Sequence, residues 1–145
     1  MTMLSDLLPD LTLDDDVFIR DITDDSRKVT KGSLYIAIKG YKNDGRQFIS
    51  EVENRVAAIL CDRSYPATST SVPVISVANL KSKRGEIASR FFGEPSKKLT
   101  IFAVTGTNGK TSVANFVATA ATNLGTKCGV LGTLGVGLPN ALDDK

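Results

Sequence analysis

Two apolar rhythms alternate along the chain. Short runs bounded by glycine, proline or acids predict strands at 17–22, at "GSLYIAIKG" (32–40), "VAAILCD" (56–62), "VISV" (74–77), "LTIFAV" (99–104) and "KCGVLG" (127–132). Helical spacing fills the intervals. In "NDGRQFISEVENR" (43–55), Phe48, Val52 and Val56 recur every four residues with Ile49 alongside, and Asp44 with Gln47 has capping-box spacing. In "NLKSKRGEIASRFFG" (79–93), Leu80, Arg84, Ile87 and Phe91 share a face. Asn79 suits its N-cap, Gly93 its end, and Pro95 prevents continuation. In "TSVANFVATAATNLG" (111–125), Val113, Phe116, Val117, Ala120 and Leu124 form the apolar stripe and Gly125 closes the helix. Residues 3–8 predict a short helix ended by Pro9.

Strands alternating with helices predict an α/β protein. The polar stretch "GEPSKK" (93–98) is the best boundary, dividing a domain at 1–95 from a second at 96–145. The run 99–104 is almost continuously apolar, as in a parallel strand buried on both faces. With the following helix and the run 127–132 it forms one βαβ unit. The last stretch, "LGVGLPNALDDK", shows no periodicity, so the second domain is expected to be cut off.

Composition removes several chemistries. The 145 residues contain no histidine, which excludes Ser-His triads and histidine metal sites from this chain. A formal net charge of +2 gives no electrostatic case for nucleic acid. No apolar run approaches the ~20 residues a membrane helix needs. The start carries no Lys or Arg before its short apolar stretch, so no signal peptide is expected and the location is read as cytoplasmic. Cys61 and Cys128 are read as small buried hydrophobes in a reducing compartment.

The chemistry concentrates in "TGTNGKTS" (105–112). A P-loop has the pattern G-x-x-x-x-G-K-[ST], which would put a glycine at Val104. The nearest glycine is Gly106, so the loop is two residues short. Its context still suits a phosphate cradle, between a predicted buried strand and an amphipathic helix. The free N–H groups and dipole of a helix start favour an anion there. Gly106 and Gly109 allow close approach, Lys110 offers a mobile charge for terminal phosphates, and the Thr111 hydroxyl is placed for Mg²⁺. The alternative is a Gly-Lys-Thr turn that merely starts a helix.

"AVTGTNGKTS" resembles the short ATP-binding loop of the Mur ligase family. "DDSRKVTKGSLYIAIKG", "NDGRQFI" and "FFGEPSKKLTIFAVTGTNGKTS" resemble the N-terminal region of the members that add the third amino acid of the peptidoglycan stem peptide. The resemblance covers nearly all of residues 17–135. It implies an N-terminal mixed α/β UDP-binding domain followed by the first βαβ unit of a P-loop ATP-binding domain. It implies a fragment of an ATP-dependent amide ligase acting on UDP-N-acetylmuramoyl-L-alanyl-D-glutamate, with diaminopimelate or lysine as the incoming amino acid. The family chemistry passes through an acyl phosphate that the amine attacks. The implied cofactors are ATP and Mg²⁺, and the implied state is a monomer without nucleic acid or membrane partners. The fragment alone is expected to be inactive. A non-catalytic UDP-sugar-binding module and another Mur-type ligase are the alternatives.

Carried over by position, Gly106, Thr107, Asn108, Gly109, Lys110, Thr111 and Ser112 match the ATP loop, with Thr111 reaching Mg²⁺. Ser112 stands where many relatives have a second threonine. Asp24, Ser26, Tyr41, Lys42 and Asn43 match the UDP pocket, although relatives often have leucine at the position of Asp24. On the residues alone, Asp24–Arg27 reads as a solvated turn held by local side-chain hydrogen bonds, and 41–43 as a helix-entry loop. The resemblance reverses both readings. Arg27, Arg46 and Lys39 are read as spare cations near these loops, suited to a diphosphate or to solvent.

Overall fold

The computed structural model of the chain describes residues 2–40, 43–62 and 70–143. They fall into two units, Met1–Leu99 and Thr100–Lys145.

The first unit is built on four parallel strands in spatial order β3 (Asp21–Thr23), β4 (Ser33–Ala37), β5 (Val56–Asp62) and β6 (Val74–Val77). Side chains alternate between the faces of β4 and β5, as the pleat requires. Leu34, Ile36, Ala58 and Leu60 enter one core with Leu4 and Leu7 of α1 (Leu4–Leu7) and Leu80 and Ile87 of α3 (Leu80–Phe91). Tyr35, Ala37, Ile59 and Cys61 enter the other with Ile49 and Val52 of α2 (Ile49–Val52). The sheet is thus covered on both sides, which is why these strands read as unbroken apolar runs. The predicted strand at 17–22 is two pieces. β2 (Phe18–Ile19) pairs antiparallel with β1 (Thr2–Met3), and β3 joins the main sheet.

The helix expected over 43–55 is shorter. A 3₁₀ turn at Gly45–Phe48 leads into the single α turn of α2. The Asp44 side chain caps that turn through the N–H of Arg46, not through a box with Gln47. The helix expected at 79–93 is present. Asn79 occupies its N-cap position at φ 55° and makes no side-chain cap. Asparagine tolerates this left-handed turn, which joins β6 directly to α3. Gly93 (φ 73°) closes α3, with its N–H bonded to Arg90 and the Glu94 N–H to Ser89, the paired bonds of a Schellman motif.

The second unit holds α4 (Lys110–Asn123) and a three-stranded antiparallel meander, β7 (Val130–Gly132), β8 (Gly135–Leu138) and β9 (Ala141–Asp143). The expected parallel βαβ unit is not formed among the described residues. Residues 100–105 make no strand, and Leu99, Ile101 and Phe102 are exposed. A parallel strand needs a neighbour to receive its hydrogen bonds, and among the described residues β7 pairs with β8 alone, its other edge taking no strand from 99–104. The stripe on α4 is exposed too, at Val113, Phe116, Val117 and Leu124, and Ala118 is the buried residue instead. Cys61 is buried and Cys128 half-buried, both as free thiols. No helix among the described residues is long and apolar enough to cross a membrane.

Candidate functional site

The four parallel strands all end on one edge of the sheet, and open parallel sheets bind ligands outside that carboxyl edge. Residues 24–28 leave β3 there, and residues 38–48 leave the adjacent β4. Asp24, Ser26 and Asn43 are therefore brought onto neighbouring loops although they are far apart in sequence. Tyr41 and Lys42 lie outside the described residues.

The same bracket shapes both loops. Asp25 caps the 3₁₀ turn Ser26–Lys28 by accepting the Arg27 N–H at 3.1 Å. Its two oxygens also accept Arg27 Nε at 2.9 Å and Nη2 at 2.7 Å. Asp44 repeats this with Arg46, at 3.1, 2.8 and 2.6 Å. Bidentate charge-assisted bonds of this kind fix both partners. The arginines expected to be spare cations are thus already engaged. The Arg27 side-chain hydrogen bonds, helped by its N–H, hold the Asp25 carboxyl down at about 2. The Arg46 side chain likewise holds Asp44 below the usual carboxylate range.

Tyr35 fixes the second loop from beneath. Its buried hydroxyl donates to the Gly45 carbonyl at 2.8 Å, while the Gly45 N–H bonds Ile38 O at 2.9 Å. A Cβ on Gly45 would lie 2.9 Å from that Ile38 oxygen, so the position accepts only glycine without movement. Burial first, then the field of Asp24, Asp25, Asp44 and Glu51, pushes the Tyr35 phenol up to about 12. At neutral pH it is therefore a fixed hydrogen-bond donor.

With the carboxylates paired, neutral groups are left to meet a ligand. The half-buried Ser26 hydroxyl and the exposed Asn43 amide make no side-chain hydrogen bond among the described residues. Asp24 instead accepts Arg84 Nη1 of α3 at 2.6 Å. That pairing joins positions 60 residues apart, and nothing in the local pattern announces it.

In the second unit, residues 105–112 form an exposed loop running into α4. Gly106 (φ 150°) and Gly109 (φ 75°) take backbone angles that favour glycine, and Gly109 is the N-cap. The N–H groups of Lys110, Thr111 and Ser112 have no carbonyl within the helix, whose bonding begins with Val113 N–H to Gly109 O. Lys110 folds back, its ammonium donating to the carbonyls of Gly106 and Thr107. The geometry fits a phosphate group: glycine bends, free N–H donors and a cation meet at one helix end. The fit to a metal is narrower. Thr111 offers one hydroxyl, and no group of three His, Cys, Asp or Glu among the described residues could hold an ion. Mg²⁺ often arrives with nucleotide phosphates and takes only one or two protein ligands, which one hydroxyl can accommodate.

A family profile described as "Mur ligase family, catalytic domain" matches residues 19–92, just over half of the chain. This chain belongs to the Mur ligase family. The matched stretch carries the whole parallel sheet and stops before the loop at 105–112. Among curated Mur ligases, UDP-N-acetylmuramoyl-L-alanyl-D-glutamate--2,6-diaminopimelate ligase of Coxiella burnetii is 44% identical over 130 residues, covering 88% of this chain and 27% of that protein. The namesake enzyme of Pseudomonas syringae pv. tomato is 46% identical over 132 residues, covering 89% and 27%. A solved structure of a UDP-N-acetylmuramoyl-L-alanyl-D-glutamate--2,6-diaminopimelate ligase superposes with a TM-score of 0.75 at 25% identity, over 97% of this chain and 29% of that one. MurF ligase of Thermotoga maritima, solved in complex with ADP, shares the fold with a TM-score of 0.55 at 23% identity, over 72% of this chain and 23% of that one. The chain thus spans little more than a quarter of the length of these curated relatives.

Proposed function

We propose that the chain is the substrate-recognition region and the opening ATP loop of a ligase that adds diaminopimelate to UDP-N-acetylmuramoyl-L-alanyl-D-glutamate. In this reading residues 1–95 hold the UDP portion and residues 96–145 begin the ATP-binding domain. Ser26 and Asn43, with Asp24, Tyr41 and Lys42, line the uridine pocket. Residues 106–112 cradle the ATP phosphates, Lys110 holds the terminal ones, and Thr111 supplies one ligand to Mg²⁺. This chain's share of the chemistry is binding and orientation. ATP would supply the phosphoryl group that activates the substrate carboxylate, and a cytoplasmic location is part of the same proposal. The choice of diaminopimelate as the third residue rests on the relatives, which are diaminopimelate ligases by name.

The observation that carries this reading is the carboxyl edge of the first unit. Among the described residues the Ser26 hydroxyl and the Asn43 amide make no side-chain hydrogen bond there, while Asp24, Asp25 and Asp44 are each paired with an arginine. Neutral donors and acceptors suit a uracil ring and ribose, and neutralised carboxylates do not repel a diphosphate. Isothermal titration of the 145-residue chain with UDP-N-acetylmuramoyl-L-alanyl-D-glutamate tests it. We expect binding, weakened about tenfold by Ser26→Ala through the loss of one buried hydrogen bond. Undetectable binding at millimolar ligand by a chain shown to be folded would overturn the reading.

A further inference from the structure

Asp24 is the awkward residue of the pocket. It follows β3 directly, lies two residues from the Ser26 hydroxyl, and puts a carboxylate where an anionic ligand is proposed to sit. Its partner Arg84 stands in the second turn of α3, a separate element anchored in the core by Leu80 and Ile87. The pair is about half exposed on each side, 49% for Arg84 and 44% for Asp24. An ion pair that wet adds little to folding stability. The local bracket through Asp25 and Arg27 already holds the turn, so Arg84 is not needed to shape it.

We infer that Arg84 is a positioning residue for the uridine-diphosphate site, cancelling the charge of Asp24 and tethering the 24–28 loop to α3 so that the pocket accepts a diphosphate. The inference rests on the proposed UDP reading and adds a residue outside both matched loops. Loss of Arg84 leaves the Asp24 carboxylate unpaired at the site, and the unbalanced negative charge repels the charged diphosphate across the pocket. Neutral uridine should scarcely register it.

The test is a set of chemical-shift titrations of the 145-residue chain with UDP and with uridine. They compare the unmodified chain with Arg84→Ala, Arg84→Lys, Asp24→Asn and the double variant. We expect Arg84→Ala to weaken UDP about tenfold and uridine less than about twofold. Arg84→Lys should recover UDP binding to within about threefold, and Asp24→Asn in the Arg84→Ala background should restore it, because the repelling charge is gone. Thermal unfolding should be nearly the same for all variants. Equal losses for UDP and uridine, no loss at all, or no rescue by Asp24→Asn would each overturn the inference while leaving the UDP reading intact. Failure of the unmodified chain to bind UDP or the UDP-muramoyl dipeptide would overturn both.

Discussion

Helices α3 and α4 carry nearly the same local instructions and meet different fates. Each has apolar residues at helical spacing, and each ends in a glycine-closed Schellman motif. In α4 the Gly125 N–H bonds Thr122 O and the Thr126 N–H bonds Ala121 O, matching the Gly93 and Glu94 bonds of α3. Yet Leu80 and Ile87 of α3 are fully buried, whereas Phe116 and Leu124 of α4 are 73% and 86% exposed. Among the described residues, Ala118 and Val130 are the only buried apolar side chains of the second unit. Caps and spacing decide where a helix starts and stops. Burial is decided by what lies opposite: α3 sets Leu80 and Ile87 into the core on one face of the four-stranded sheet, while α4 meets β7 and keeps its larger apolar side chains exposed. Isolated helices of this length are marginal without a packed face.

Hydrogen exchange should separate the two units most widely. Amides of β4 and β5 open only with the whole first unit, whereas those of α4 and the β7–β9 meander need much smaller openings. We expect protection at least about a thousandfold greater in the sheet. Equal protection in both parts would break the comparison. Substitution comes next. Leu60→Ala empties a fully buried site and should cost about 2–5 kcal/mol in denaturant unfolding, whereas Phe116→Ala should stay within about 0.5 kcal/mol. A large effect of Phe116→Ala would mean that α4 is packed in solution. Within the first unit, Gly45→Ala drives a methyl group to within 2.9 Å of Ile38 O and against the Tyr35 hydroxyl. It should cost about 1–3 kcal/mol, and lower affinity for the UDP ligand as the 38–48 loop shifts.

The first unit was largely legible in the sequence because each strand has its own bounded apolar run and each face has a helix to cover it. The second unit was legible only locally. The loop, the start of α4 and its glycine stop follow from neighbouring residues. The strand expected at 99–104 depends on partners that no local pattern supplies. The meander was missed because Val136, Leu138 and Leu142 are too few to show a period. Its turns at Thr133-Leu134 and Pro139-Asn140 were the available signal, Pro-Asn suiting the centre of a tight turn. The motif Asp-x-Arg occurs at 25–27 and again at 44–46, each time in the loop that follows a strand. That repetition could have assigned both arginines to brackets instead of leaving them free. The Asp24–Arg84 pair had no such signal, since contacts across 60 residues are set by the fold.

The two brackets allow a finer, smaller test of how charge is held at the carboxyl edge. Arg27 is 86% exposed and Arg46 only 17%, so the same geometry operates in water at one loop and in partial shelter at the other. The folded-state value of Asp25 is depressed from 3.8 to about 2. Its contribution is therefore present above the ordinary value and is lost as pH falls through about 2. Carboxyl-carbon NMR should place the Asp25 midpoint near that lower value. Arg27→Gln should raise it toward the ordinary carboxylate value, and because screening of so exposed a pair limits the shift and its stability contribution together, any loss of thermal stability should be small and should scale with the change in midpoint. Raising salt should move Asp25 toward its ordinary value more than it moves Asp44, whose bracket is the more sheltered. If the two respond equally, shelter is not what distinguishes the brackets, and the hydrogen bonds alone, shared by both, set the two carboxyls.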